Sequence, residues 1–426
     1  MLKLQQREIK MDEHNRVSSS RRKFLKLGST VLAGSMATLP RVASAQTDAD
    51  YWHMVRNQFA FSDKAVPMNA ANLCPSFRAV GENVALLTAD IDIDCSFNNR
   101  AKFTELLEQS RMLVAAQLGV SAEEIALVRN TSEGNNIINN GLSLSAGDEV
   151  VIWDQNHPTN NVAWDVRAER FNLQITRLST PDQPASEQEL ADIFINSFTN
   201  RTRVLSFTHI SNVSGIRLPI RTIVEAARTR GIYVHVDGAQ SWGALDLDLR
   251  ELDVDSFTAS AHKWYMGPKE VGLLYVKQDN IERIWPGVIA PGWGEDSDTD
   301  LAGARKFESL GQRDDAALAA LGLAAQLHND IGQQRTEVRI AMLAQRLKQG
   351  IAELGLELVT PMSDQLSHGV CITRAPQGQA ETIINRLYEE FGIAAAPTGG
   401  IRLCPTIYNT ELHIDRAVDG LRAIMT

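Results

Sequence analysis

The chain has 426 residues, 44% hydrophobic and 22% charged, with a formal net charge of −10 at pH 7. That length points to two or three domains with ample apolar material for a large core. The acidic balance excludes a chain that holds nucleic acid or an anionic membrane by charge, and nine histidines and four cysteines without ligand spacing give no metal motif.

Near the start, Ser20-Arg21-Arg22-Lys23-Phe24-Leu25-Lys26 precedes an apolar run from Leu27 to Leu39. The run is short for a membrane span, which needs about 20 residues. Ala43-Ser44-Ala45 then supplies a small-x-small cleavage site before Gln46. Paired arginines ahead of a weak apolar segment make the pattern of a twin-arginine export signal. The expectation is a signal peptide over 1–45, cut after Ala45, with the Tat translocase as partner and the periplasm as destination. The plainer reading is a disordered basic tail. Export in the folded state suits a protein that loads a cytosolic cofactor first. The first 45 residues carry a formal +6, so the chain from Gln46 stands near −16.

Residues 46–65 read as an irregular arm with Tyr51, Trp52, Phe59 and Phe61. From Ala101 to Leu118 apolar residues recur at helical spacing, closed by Gly119. Short apolar runs then read as strands: Glu124–Val128, Glu149–Trp153, Gln174–Leu178, Arg203–Phe207, Ile232–Val236, Ser256–Ser260 and Val271–Val276. Between them, helices are expected near Glu133–Gly141, Asn160–Phe171, Glu187–Phe198 and Ile220–Arg230. This alternation predicts an α/β domain on a mostly parallel sheet, with ligands beyond the carboxyl ends of its strands. Gly287–Gly303 reads as a loop, followed by helices over Asp314–His328 and Arg335–Leu354 and a smaller α+β region. The predicted division is a large domain over 66–305 and a small C-terminal domain over 306–426. The widely spaced Cys74, Cys95, Cys371 and Cys404 predict no disulfide, and buried free thiols are expected.

The chemistry is carried by a few polar residues at strand ends. Asp237 ends Ile-Tyr-Val-His-Val, where a sheet delivers side chains to a ligand; alone it could be a turn former. Lys263 follows in Ser260-Ala261-His262-Lys263-Trp264. A lysine amine that forms a Schiff base, with a carboxylate that keeps a pyridine nitrogen protonated, is what pyridoxal-phosphate chemistry needs. A desolvated lysine beside another cation has a depressed pKa and can shuttle a proton. In Arg129-Asn130-Thr131-Ser132-Glu133-Gly134, Thr131 and Ser132 fit capping positions, where free N–H groups and hydroxyls suit a phosphate. Ser260 and His262 could add donors. His157, in Trp153-Asp154-Gln155-Asn156-His157-Pro158, could stack on a flat ring or be a plain loop histidine. Asn212 could be a ligand or a turn residue.

Together these motifs, in order and over essentially all of the chain from Gln46, resemble a class V aminotransferase of pyridoxal-phosphate fold type I, the group of cysteine desulfurases and isopenicillin N epimerase-like enzymes. The resemblance implies that Lys263 carries the cofactor and Asp237 pairs with the pyridine nitrogen. It implies that Gln240 and Asn212 contact the ring hydroxyl and that His157 stacks on the ring. Thr131, Ser132, Ser260 and His262 would hold the phosphate, and Arg402 the substrate α-carboxylate. Asn72 lies in the segment Met68-Asn69-Ala70-Ala71-Asn72, assigned to the substrate. A homodimer is implied, with Gln312 of Phe307-Glu308-Ser309-Leu310-Gly311-Gln312 standing where a threonine often reaches the neighbour's phosphate. Glu270 stands where glycine is common. Ile393-Ala394-Ala395-Ala396-Pro397-Thr398-Gly399 lacks the desulfurases' catalytic cysteine, which argues against persulfide chemistry.

The expectation is an exported enzyme acting on an amino group next to a carboxylate, on a small molecule or a peptide. The motifs do not choose among transamination, epimerisation and elimination. The export signal and the Met68–Pro75 stretch resemble periplasmic enzymes that modify the glutamate side chain of pyoverdine siderophores. A generic amino-acid aminotransferase, an isopenicillin N epimerase-like enzyme and a non-catalytic scaffold of the same fold are the alternatives.

Overall fold

The computed structural model describes residues 47–289 and 303–426. The proposed signal peptide, and most of the loop read over Gly287–Gly303, lie outside the described residues. The N-terminal arm is irregular only after residue 56. Thr47 caps a helix, Asp48–Arg56, by accepting from the Asp50 N–H, and Tyr51, Trp52 and Val55 are buried beneath it. A short strand, β1 (Val66–Pro67), follows, and then a helix that periodicity does not announce, Arg78–Ile93. It has no side-chain N-cap and buries only Val80 and Leu87, so its apolar stripe is too thin to read.

Seven strands form the main sheet: β2 (Ile125–Val128), β3 (Glu149–Trp153), β4 (Gln174–Leu178), β5 (Thr202–Thr208), β6 (Tyr233–Asp237), β7 (Ser256–Ser260) and β8 (Gly272–Val276). Their order is β2-β8-β7-β6-β5-β3-β4. The five strands from β3 to β7 run parallel, and β8 is antiparallel to both neighbours. Helices 131–141, 158–171, 187–195 and 220–228 make the crossovers. Strands β2, β3, β6, β7 and β8 are buried throughout, as strands covered on both faces must be.

Register decides what meets at the carboxyl ends. Thr208 of β5 pairs with Asp237 of β6, which pairs with Thr258 of β7. Gly272 of β8 lies opposite Ser260 on one side and Val128 on the other. The chain leaving β2 is thereby brought beside the end of β7. A Cβ at Gly272 would stand 2.4 Å from the Ala259 carbonyl and 3.1 Å from the Asn130 Cα, so only glycine permits this approach.

The C-terminal region has its own core of Leu343, Leu347, Ile383, Leu387, Ile401 and Leu403, joined by Val66 and Met68 from the chain's other end. Its strands are β9 (Cys371–Thr373), β10 (Ile393–Ala394) and β11 (Ile401–Leu403). β1 pairs with β10 in parallel, and β9 with β11 antiparallel. Helix Asp315–Ile331 packs against Lys102–Gln117 and Arg78–Ile93 of the large sheet's helical layer. Cys74, Cys371 and Cys404 are buried free thiols; Cys95 differs from expectation in being exposed. Among the described residues no helix is long and apolar enough to cross a membrane, and no cluster of potential metal ligands occurs.

Candidate active site

Asp237 is buried at the end of β6. Its Oδ1 accepts from the Ala239 N–H at 3.0 Å and its Oδ2 from the Asn135 amide at 2.9 Å. Lys263 lies in the turn after β7. Desolvation holds its amine below the ordinary lysine value, Arg402 pushes the same way, and Asp237 opposes both. A lysine so placed gives up its proton more readily than a solvated one, as a nucleophile or proton carrier must.

The corner beside it is built by the Gly272 crossing. Ser260 Oγ accepts from the Thr131 N–H at 2.8 Å and lies 2.7 Å from Thr131 Oγ1. The helix cap here is Asn130, whose side chain accepts from the Glu133 N–H, so Thr131 and Ser132 occupy the first helical turn instead of the cap. They stand in the first turn, whose N–H groups have no carbonyl partner within the helix, at its positive end, a favourable place for an anion. Ser132 reaches Thr159 at 3.4 Å. Burial, with Lys263 and Lys269 nearby, lowers His262 to about 4, so it is a neutral donor at working pH.

His157 caps the helix Pro158–Phe171, accepting from the Thr159 N–H. Desolvation and Lys263 lower its pKa while Asp237 raises it. The loop that carries it is anchored by Asn156, which bonds Ser206 O and Thr208 N at the end of β5, and by Asn161, which bonds Trp153 O.

Arg402 is buried on β11. Nη1 donates to Asn212 O at 2.9 Å, Nη2 to Asn69 Oδ1 at 3.1 Å, and Nε is buried with no partner. A buried cation bonded only to neutral oxygens, with a donor to spare, fits an anionic ligand group. Asn212 thus takes part through its backbone. The Gln240 amide is occupied at both ends, donating to Ala71 O at 3.0 Å and accepting from Trp264 Nε1 at 2.7 Å. Asn72 is exposed in a turn closed on Asn69 O. Gln312 is not brought to this cluster within one chain: it is exposed and accepts from Arg100 at 2.9 Å. Glu270 holds φ +53°, a left-handed conformation that glycine adopts without strain.

Sequence reasoning missed Asn69 and Asn135. Asn135 lies four residues after Thr131 and so one turn along the same helix face. Behind it, His235 Nε2 lies 2.8 Å from Asn135 Oδ1 and His235 Nδ1 lies 2.8 Å from Ser256 Oγ. The alternation in Tyr-Val-His-Val-Asp, which puts His235 and Asp237 on one face of β6, was the available signal.

The fit to pyridoxal phosphate rests on this arrangement: an amine and a carboxylate acting on one another, a hydroxyl-rich helix start, and a spare buried guanidinium donor. Comparison with known proteins agrees. The aminotransferase class-V family model matches residues 96–420. An isopenicillin N epimerase of Streptomyces clavuligerus is 28% identical over 390 residues, covering 88% of this chain and 98% of that one. A cysteine desulfurase of Enterobacter sp. (strain 638) is 30% identical over 348 residues, covering 76% and 84%. Among solved structures, the apo cysteine desulfurase of Thermococcus onnurineus NA1 superposes with a TM-score of 0.78 at 20% identity, over 87% of this chain and 97% of that one. The cystine C-S lyase C-DES, solved with cysteine persulfide, gives 0.76 at 23%, over 85% and 97%. The chain belongs to the aminotransferase class-V family and is a pyridoxal-phosphate-dependent enzyme of the type I fold.

Proposed function

We propose that this enzyme acts on an amino group next to a carboxylate, as a homodimer, after export to the periplasm. The observation that carries the reading is Lys263, a desolvated amine under the influence of Asp237 and of the buried Arg402. Bound pyridoxal phosphate supplies an electron sink for the pair left when a proton leaves the carbon that bears the amine. The chain's residues then have distinct tasks. Arg402 takes the substrate carboxylate in a charge-assisted bond. Asp237 holds the pyridine nitrogen, and Thr131, Ser132, Ser260 and His262 hold the phosphate. His157 covers the ring, and Lys263 carries the proton to and from the α carbon.

The test is a visible spectrum of the protein loaded with pyridoxal phosphate, before and after L-glutamate and then borohydride. A yellow band that glutamate shifts, with reductive labelling mapped to Lys263, supports an amino-acid substrate. A band indifferent to glutamate points to a larger peptide. Absence of any band would return the scaffold reading.

Persulfide chemistry is not proposed. The segment 393–399 has no cysteine, and Ala396 exchanges both backbone hydrogen bonds with Arg402, so that cysteine-free segment borders the arginine. Cys404 is fully buried, and burial raises its thiol pKa.

Three finer points belong to the same proposal. Export rests on the Arg21-Arg22 signal; replacing both arginines with lysine should leave the protein in the cytoplasm on fractionation. Dimerisation is supported by the exposed apolar side chains Leu86, Ile93 and Phe97 on neighbouring helices, and a monomeric mass in solution would sink it. The substrate favoured by the signal and the Met68–Pro75 stretch is the glutamate side chain of a pyoverdine-type siderophore. Deleting the gene should then change the mass of the producer's secreted peptides.

A further inference from the structure

Asp237, Asn135, His235 and Ser256 form one buried chain of hydrogen bonds, which meets the candidate site through the bond from Asn135 to Asp237. Three buried polar side chains behind a strand cost desolvation unless every donor and acceptor is matched. Here they are matched in one way only. The Asp237 carboxylate accepts, so the Asn135 amide must present Nδ2–H to it. Asn135 Oδ1 is then an acceptor, which requires the proton of His235 on Nε2. Burial lowers His235 to about 3, so the ring is neutral and its Nδ1 accepts from the Ser256 hydroxyl. Tyr233 also approaches Ser256, and burial keeps its phenol un-ionised.

The fold sets this row. His235 and Asp237 share a face of β6, Ser256 pairs with His235 in register across β7, and helix Thr131–Gly141 lays Asn135 over them. Asn135 sits on the same helix whose first turn carries Thr131 and Ser132. The element that offers the phosphate site therefore also aims the carboxylate.

We propose that Asn135, locked by His235 and Ser256, is the positioning residue that fixes the Asp237 carboxylate toward the pyridine nitrogen of the bound cofactor. The inference rests on the assignment of Asp237 to that nitrogen. With His235 replaced by an apolar residue, Asn135 Oδ1 is left buried without its donor and nothing holds the amide plane, so the N–H aimed at the carboxylate loses its fixed direction.

The experiment uses full-length Asn135→Leu, His235→Leu, His235→Gln and Ser256→Ala with the native protein, each titrated with pyridoxal phosphate. Two quantities are read: the cofactor dissociation constant, and the pH at which the two forms of the visible band are equal. Asn135→Leu and His235→Leu should weaken cofactor binding roughly fivefold and move the midpoint by about 0.5 unit or more. His235→Gln, which restores an N–H donor to Asn135, should recover most of both. Ser256→Ala should move the midpoint the same way by less, and it covers the case in which a leucine variant does not fold. Folded variants with native midpoint and affinity, or a glutamine no better than leucine, would overturn the inference. A native protein without the band would instead overturn the cofactor-binding reading itself, on which the assignment of Asp237 depends.

Discussion

Lys263 is the residue to which the proposed chemistry is assigned, and its environment makes a definite pH prediction. The free amine is the form that captures the cofactor, and its fraction grows as pH rises. Because desolvation and Arg402 lower the Lys263 pKa, the rate of pyridoxal-phosphate uptake by cofactor-free protein should level off at a pH below the ordinary lysine value of 10.5. A rate still climbing through the ordinary lysine range would contradict the burial argument. Lys263→Ala should remove the visible band and all borohydride labelling while leaving the thermal midpoint of the cofactor-free protein nearly unchanged. Asp237 was legible in the sequence because it ends a strong apolar run, and Lys263 because of its Ser-Ala-His-Lys-Trp setting, polar residues interleaved with apolar ones. Asn135 was not, since an asparagine within a helix looks like any other until the strand opposite is known.

At the scale of elements, the phosphate corner depends on a strand that contributes no ligand. β8 supplies only the glycine that lets the chain beyond β2 pass close to β7. Gly272→Ala should cost about 1–3 kcal/mol of stability through overpacking and weaken cofactor binding roughly tenfold, read by urea denaturation and cofactor titration. The other side of β2 is held by Arg111 of helix Lys102–Gln117. It donates to Ile125 O at 2.7 Å and pairs with Glu308, whose Oε1 also accepts from the Leu127 N–H. Without Arg111, Glu308 keeps, among the described residues, only Arg313 at 3.5 Å and the Leu127 N–H at 2.6 Å. Arg111→Ala should therefore lose about 3–5 kcal/mol, seen as a lower urea midpoint, with little change in the visible band of the folded fraction. The boundaries of β3, β4 and β7 were readable residue by residue: β3 is a near-continuous apolar run after Glu149, while β4 (Gln-Ile-Thr-Arg-Leu) and β7 (Ser-Phe-Thr-Ala-Ser) alternate apolar and polar residues at the period of a strand. Helices 48–56 and 78–93 escaped because one hides aromatic residues in a polar setting and the other exposes most of its apolar ones.

For the whole molecule, the buried histidines set the behaviour in acid. Burial lowers His209 and His235 to about 3 and His328 and His368 to about 4, against an ordinary value of 6.5. Between those limits the unfolded chain binds protons that the folded chain refuses, so stability rises with pH through this window and is lost as pH falls below about 6.5. Stability by urea denaturation should drop by at least about 2 kcal/mol between pH 7 and pH 5. A flat profile would mean that these rings find acceptors once protonated. His328, against the Tyr265 carbonyl at 2.7 Å, and His368, against the Ala244 carbonyl at 3.0 Å, both lie where the C-terminal half of the chain meets the large sheet. Acid should therefore loosen that contact early.

The sequence by itself determined the α/β alternation and marked the strand-end carboxylate and the lysine of Ser-Ala-His-Lys-Trp, because each carries a local pattern: apolar period, turn chemistry and polar residues set among apolar ones. Arg402 was reached only through the family resemblance. Tertiary structure alone decided which strand ends meet, that Val66 and Met68 complete a core some 300 residues away, and that Asn69 and the Asn212 carbonyl hold Arg402. It also decided that Gln240 faces Trp264 and that Asn135 aims Asp237. Those are matters of register and crossover. Neither is written in a local pattern, since hydrogen bonds between distant segments are fixed only when the whole sheet closes on its helices.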